Sequence, residues 1–330
     1  MHNWRTMDQL SGSARAGAAI KADCYGLGVD LCLPALLEAG ARDFFVAHWS
    51  EVPSALAYVA PERLAVLHGV HSPEDATFAI ATGVRPVINS LDQARIWAEA
   101  NGGRCHLMVD TGINRLGVGV PELGDPAIKQ LDIRVLMSHL ACADEDSVFN
   151  DEQLRAFDEA RSIVSHRETS LSNSAGLTLS DRFHHDLTRP GLSLYGGVPR
   201  PELEGCIRQV AFPQAMVMQR RHLHPGERVG YNGRFTATQA MNVATVSIGY
   251  ADGLLRAWGG QDMSFEDKTL PVLGTVSMDM IVLDVSRAPQ IQPGDWIDVP
   301  YQLLTQSRQT GLSQYELLTV LGKRFDRRYR

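Results

Sequence analysis

"RPVINSLDQARIWAEAN", residues 85–101, holds in one stretch the pattern that decides the fold. Its first six residues are a short apolar run of strand length, and from Ser90 onward Leu91, Ala94, Trp97 and Ala98 recur at helical spacing. A strand followed at once by an amphipathic helix is part of a βαβ unit, and such units build parallel sheets. The same kind of run occurs at "AGAAIKA" (16–22), "DFFVAH" (43–48), "RLAVLHGV" (63–70), "RCHLMVD" (104–110), "IRVLMSHL" (133–140), "TSLSNS" (169–174) and "HHDLTRPGLSLYG" (184–196). Helical segments such as "GVDLCLPALLEAG" and "DEQLRAFDEARSIVS" lie between them. Eight units predict an α/β fold, a (β/α)8 TIM-type barrel over residues 1–205, with the fifth and eighth crossovers poorly marked.

The texture changes after residue 206. Short alternating runs, as in "AMNVATVSIGY" and "TLPVLGTVSMDMIVLDV", are separated by Pro-Gly and Gly-Asp turns, which predicts a second, all-β domain over 206–330. A last amphipathic piece, "LSQYELLTVLGKRF" (312–325), reads as helix.

Composition narrows the function. With 330 residues, 44% hydrophobic, 21% charged and a net charge of −7, the chain has no basic excess for nucleic acid or an anionic membrane, so small-molecule work is the better expectation. The five cysteines, Cys24, Cys32, Cys105, Cys142 and Cys206, show no zinc-type spacing and read as reduced thiols, and no metal is expected. The N-terminus "MHNWRTMDQLSGS" lacks an apolar signal core and no run reaches membrane-span length, so a cytoplasmic location is expected.

In a barrel, chemistry stands at the C-terminal ends of the strands. Those ends carry Lys21, His48, His68, Asn89, Asp110, His139, Asn173 with Ser174, and Arg189, a concentration of titratable and hydrogen-bonding groups. The opposite ends carry mostly Arg, Asp or Gly. Lys21 in particular follows the small apolar run "AGAAI", where burial favours a neutral amine.

Nine motifs then occur in one order: "AIKADCYGLG" (19–28), "VDTGINRLG" (109–117), "SHLACAD" (138–144), "SNSAG" (172–176), "TRPGLSLYG" (188–196), "RVGYNGRF" (228–235), "VSIGYADG" (246–253), "GTVSMDM" (274–280) and "YELLTVLGKR" (315–324). In this series the chain resembles the alanine racemases, whose fold is a (β/α)8 barrel plus a β domain and whose cofactor is pyridoxal 5'-phosphate. That cofactor supplies the electron sink that makes an amino acid's α-proton removable.

The resemblance implies a role for each matched residue. Lys21 carries the cofactor. Tyr231 is the base on the opposite face, contributed by the partner subunit, with His139 as its polarising neighbour. Arg189 faces the pyridine nitrogen, and because guanidinium keeps its proton the ring becomes a weaker sink. Tyr25, Ser174, Tyr315 and the N–H groups of Gly191 and Leu192 take the phosphate, with Asn173 and Tyr250 completing the pocket. Arg115 grips the substrate carboxylate, and Met278 with Asp279 closes the pocket from the partner. A homodimer with shared sites is therefore expected.

Two departures from the family pattern matter. Where many members carry a carbamylated lysine before "VDTG", this chain has Met108, so Arg115 must be oriented by something else. Family chains also carry a first strand, belonging to the β domain, ahead of the segment matching "HNWRTM"; a β domain without it is expected to leave a strand edge open. The activity implied is interconversion of L- and D-alanine, with D-alanine feeding peptidoglycan. Racemases of serine, lysine, arginine or a broader set remain open, since a methylene in a pocket is worth only about 1–3 kcal/mol. A non-catalytic pyridoxal-phosphate carrier or a barrel-type decarboxylase also remains.

Overall fold

The computed structural model describes residues 1–328. The chain forms two compact units, residues 1–208 and 209–330.

Eight parallel strands form the first unit's ring: β1 (Arg15–Ala16 with Ala18–Ala19), β2 (Phe44–Val46), β3 (Leu64–Val66), β4 (Arg85–Ile88), β5 (Cys105–Asp110), β6 (Ile133–Met137), β7 (Glu168–Ser170) and β8 (Leu187–Thr188). β1 closes the ring by bonding on both sides. Its Arg15, Gly17 and Ala19 amides donate to Asp186, Thr188 and Pro190 carbonyls (3.0, 2.9 and 2.9 Å), while Ala18 and Ile20 donate to Asp43 and Phe45 (2.8 Å each). On the other flank of β8 the Asp186 amide donates to the Thr169 carbonyl at 3.1 Å. The strands are buried on both faces, as parallel strands wrapped by helices must be. Phe45, Ala65, Val87, Met108, Val135, Met137 and Leu187 pack together, and a larger cluster including Leu107, Val109, Leu136, Leu154 and Phe157 forms a second core.

All eight predicted runs contain a strand. The helices α2 (Val29–Ala39), α3 (Pro73–Thr82), α4 (Leu91–Glu99) and α5 (Val148–Ile163) follow β1, β3, β4 and β6, and in α3 to α5 a serine N-cap (Ser72, Ser90, Ser147) accepts an amide of the first turn. The fifth crossover holds a two-residue strand (Val118–Gly119), a 3-10 turn (Val120–Glu122) and the one-turn helix Pro126–Lys129, and β8 is followed at once by the 3-10 turn Leu192–Tyr195. The helix α1 (His2–Leu10), from the chain's start, packs against that turn, and Asn3 donates to the carbonyls of Leu194 and Arg208 (3.4 and 2.8 Å). At the strand-start end, Arg15 and Arg134 both pair with Asp43 and Glu168 at 2.9 to 3.7 Å, a lattice that ties the ring's base.

The second unit is a closed antiparallel barrel. Its ring runs β9 (Gln214–Leu223), β10 (Met241–Val246), β13 (Ile281–Asp284), β12 (Lys268–Leu273), β11 (Asp262–Phe265), β14 (Trp296–Asp298) and back to β9. Closure uses Gln214–Met216, which pair with β14, whereas Gln219–Leu223 pair with β10 alone among the described residues. The ring is thus complete, with one-sided stretches at Gln219–Leu223 of β9 and at Lys268–Pro271 of β12, which pair with β11 alone among the described residues. Two short helices, α6 (Leu303–Thr310) and α7 (Gln314–Thr319), end the unit. The helix expected over 312–325 stops at Thr319: beyond it the Gly322 amide leaves the helical ladder and donates to the Asp252 carbonyl at 3.1 Å, where a Cβ would stand 2.8 Å from the Ala251 carbonyl.

Candidate active site

Lys21 stands at the C-terminal end of β1, where the backbone turns left-handed. Ala22, Asp23, Cys24 and Tyr25 have φ of 54 to 56°, four consecutive non-glycine residues in a conformation that costs about 1–2 kcal/mol each in a left-handed helix. Such an investment of strain marks a functional turn. Here it carries the lysine at its start and buries Tyr25 at its end. Asp23 closes the turn onto α2, its carboxylate accepting the Val29 amide at 2.7 Å. The Lys21 amine is held below its ordinary pKa, first by burial, then by the charges of Arg115 and Arg189, with Glu51 opposing.

Across the ring, the "TRPG" turn meets the "SNS" turn. Ser174 Oγ accepts from the Gly191 amide at 2.9 Å and from the Ser193 amide at 3.3 Å. Gly191 lies so close to Tyr25 that a Cβ would come within 2.2 Å of the tyrosine hydroxyl. Tyr25, Ser174 and Gly191 are thereby brought together, with Leu192 next in the chain. The Ser193 amide was not anticipated from sequence. Asn173 Oδ1 accepts the Ala175 and Gly176 amides.

Arg189 is 7% exposed, and its guanidinium donates to Ser170 Oγ and to the Ser138 carbonyl. Burial lowers its pKa to about 10, so it remains a cation at neutral pH. His139, the residue after Ser138, is pushed down to about 3 by burial and then by Arg189, Arg115 and Lys21, which keeps the imidazole neutral.

Arg115 is carried by the loop after β5. Asp110 accepts the Gly112 and Asn114 amides (2.8 and 3.1 Å), and Gly117, at φ 138°, passes so near that a Cβ would stand 2.5 Å from the Asp110 amide nitrogen. These contacts account for the Asp, Gly, Asn and Gly of "DTGINRLG". Among the described residues the Arg115 side chain has no hydrogen bond or ion pair, and Met108 is buried with Phe45 and Met137 in the barrel's apolar interior.

The other expected residues lie in the second unit. Tyr231, 73% exposed, begins a 3-10 turn between the strand pair Arg228–Val229 and Phe235–Thr236. Tyr250 lies beneath Arg256, whose guanidinium carbon is 5.6 Å from the ring centroid. Met278 is exposed, and Tyr315 sits on α7. Asp279 pairs with Arg324 at 2.7 Å, and the same arginine grips both oxygens of Asp252 at 2.7 and 2.9 Å. Arg324 ends the motif "YELLTVLGKR", and nothing in that sequence signals this clasp. Ser170, bonded to Arg189, and Glu51, bonded to the Ala22 amide, carry no sequence signal of these ties because each joins distant segments. His48 and His68 stack edge to face at 4.1 Å, and buried Asn89 bonds the Leu67 and Val87 carbonyls, a structural role.

Among the described residues no group of His, Cys, Asp and Glu is arranged for a metal, and no helix is long and apolar enough to cross a membrane.

The description "Alanine racemase, N-terminal domain" matches residues 1–199, and "Alanine racemase, C-terminal domain" matches residues 210–329. The chain belongs to the alanine racemase family. Relatives named alanine racemase include one from Methylobacterium nodulans, 38% identical over 99% of this chain and 92% of its own length, and one from Cereibacter sphaeroides, 40% identical over 99% and 94%. Among solved structures, the alanine racemase from Bartonella henselae with covalently bound pyridoxal phosphate superposes with a TM-score of 0.92 at 33% identity, covering 100% of this chain and 96% of that one. The fold expected for the family, a (β/α)8 barrel with a separate all-β unit, is the fold seen here.

Proposed function

We propose that the protein is a pyridoxal-phosphate-dependent alanine racemase, with Lys21 and Tyr231 as its two proton-handling groups. The observation that carries this reading is the pairing of a buried amine whose pKa is lowered, at Lys21, with donors that suit an anion at Ser174, Gly191 and Ser193 in the mouth of one barrel.

The residues fit the cofactor. A glycine is required at 191 because a Cβ would collide with Tyr25, and the donors there suit a phosphate: hydroxyls of Ser174 and Tyr25 and backbone N–H groups of the 191–193 turn. Arg189 would set a buried cation beside the ring nitrogen, and Lys21 would supply the amine for covalent attachment. When bound, the cofactor delocalises the charge left on the substrate's α-carbon.

Everything else falls to the chain. Lys21 Nζ, once free, takes or returns the α-proton on one face. Tyr231 Oη serves the other face, and the neutral His139 ring can exchange a hydrogen bond with that phenol without adding charge. Arg115, whose guanidinium has no protein partner among the described residues, is available to a substrate carboxylate. The exposure of Tyr231 and Met278 suits residues that complete the site of a second copy, so the working unit is a homodimer. Met278 and Asp279 would then line the partner's pocket, with Tyr250 and Tyr315 narrowing its entry for a small side chain. The setting is cytoplasmic, in keeping with five free cysteines, and the product is D-alanine for peptidoglycan.

Circular dichroism of L-alanine, incubated with enzyme and pyridoxal phosphate, tests the reading. The signal decays to zero with wild type and persists with Lys21→Ala. Persistence with both, while L-serine or L-lysine decays, would reassign the substrate; persistence with all three would refute racemisation of this panel.

A further inference from the structure

Glu51 has no place in the proton path, yet its carboxylate is built into the lysine-bearing turn. One oxygen accepts the amide of Ala22, the residue after Lys21, at 2.5 Å. The other accepts the amides of Ala47 and His48 at 2.7 and 3.0 Å, beyond the end of β2. The left-handed turn Ala22–Tyr25 is closed locally by Ile20, Ala22 and Asp23 acceptors, so its own bonds set its shape. They do not anchor its first amide to the neighbouring strand. Glu51 does that with one ionised group and three charge-assisted bonds.

We propose that Glu51 is a positioning residue that clamps the Ala22 amide to the end of β2 and thereby fixes where the Lys21 amine stands. The proposal rests on reading Lys21 as the cofactor-bearing lysine. A glutamate suits the task better than a glutamine because all three partners are donors, and an amide would turn its own N–H2 toward at least one of them. The carboxylate also favours the charged form of Lys21, opposing burial and the two arginines. Removing it therefore has two separable effects, a looser turn and a more acidic lysine.

Hydrogen exchange by mass spectrometry on the full cofactor-free chain reads the first effect. In Glu51→Gln, exchange should rise about tenfold or more in peptides covering 20–28 and 45–51 and stay unchanged in α5, since a charge-assisted bond is worth about 1.5–3 kcal/mol. The pH dependence of pyridoxal phosphate attachment, followed by absorbance, reads the second: its midpoint should move to lower pH. Racemisation should lose kcat with little change in KM. Glu51→Asp keeps the charge and shortens the reach, so exchange should rise while the midpoint stays; it serves equally if the glutamine variant does not fold. Unchanged exchange at 20–28 in the folded variant, or an equal rise in α5, overturns the proposal. Absence of racemisation in the wild type would instead overturn the functional reading, leaving the exchange result to decide the clamp.

Discussion

A Cβ on Gly191 would lie 2.2 Å from the hydroxyl of Tyr25 and 3.0 Å from its Cζ, so backbone and phenol share one surface beside Ser174. Tyr25 is itself confined, stacked on Tyr195 at 4.8 Å with its φ in the left-handed region. It cannot retreat cheaply.

Gly191→Ala should therefore cost about 1–3 kcal/mol through overpacking and weaken pyridoxal phosphate binding well beyond the effect of Ser193→Ala, which keeps the Ser193 amide. Fluorescence titration of the cofactor-free variants would measure this. Equal affinity of Gly191→Ala and wild type would show that this surface does not hold the phosphate.

Arg324 organises the loops of the second unit. Its fork on Asp252 and its third bond to Asp279 tie "GYADG" and "SMDM" to the C-terminal segment, and the Tyr250 and Ala251 amides bond the Ser277 and Met278 carbonyls (3.0 Å each). Lysine cannot reproduce a bidentate fork. Arg324→Lys should raise KM for alanine about tenfold with only a small fall in melting temperature, since the buried Asp252 keeps a cationic partner while losing the fork. A fall in melting temperature with unaltered KM would make the clasp purely structural.

Much of this was legible because parallel strands are short apolar runs that end where chemistry stands. Each of the eight runs was visible, and so were Lys21, His139 and Arg189 at their ends. What stayed hidden depends on contacts between distant segments. Helix α1 covers the outside of the last crossover from the other end of the chain, which no local period reveals. The left-handed turn contains no glycine, so "ADCY" gives no warning of its backbone. Glu51 reads as an ordinary surface acid until its oxygens are seen on the amides of Ala22, Ala47 and His48.

His106 sets an acid limit on stability. It is buried inside the barrel with Nδ1 lacking a partner, and burial, reinforced by Arg85, Arg134 and Arg189, holds its pKa well below the usual value. The unfolded chain takes up a proton near pH 6.5 that the folded chain refuses, so this stability is full above that pH and declines as pH falls. The slope is about 1.4 kcal/mol per unit for each such group. His139, held at about 3, and His185, at about 4, act with the same sign. Melting temperature should drop between pH 7 and pH 5, and less steeply in His106→Met. Parallel curves for the two proteins would rule the contribution out.

Mixing two inactive variants tests whether Tyr231 serves the second copy. In a dimer of Lys21→Ala with Tyr231→Phe chains, a shared-site geometry gives one pocket with both changes and one with neither. After dissociation and random reassociation, half the dimers are mixed and each has one intact site of two. Activity should recover to about a quarter of wild type. If Tyr231 instead acted on its own chain's Lys21, every site in the mixture would carry a lesion. No activity would return, however completely the chains exchanged.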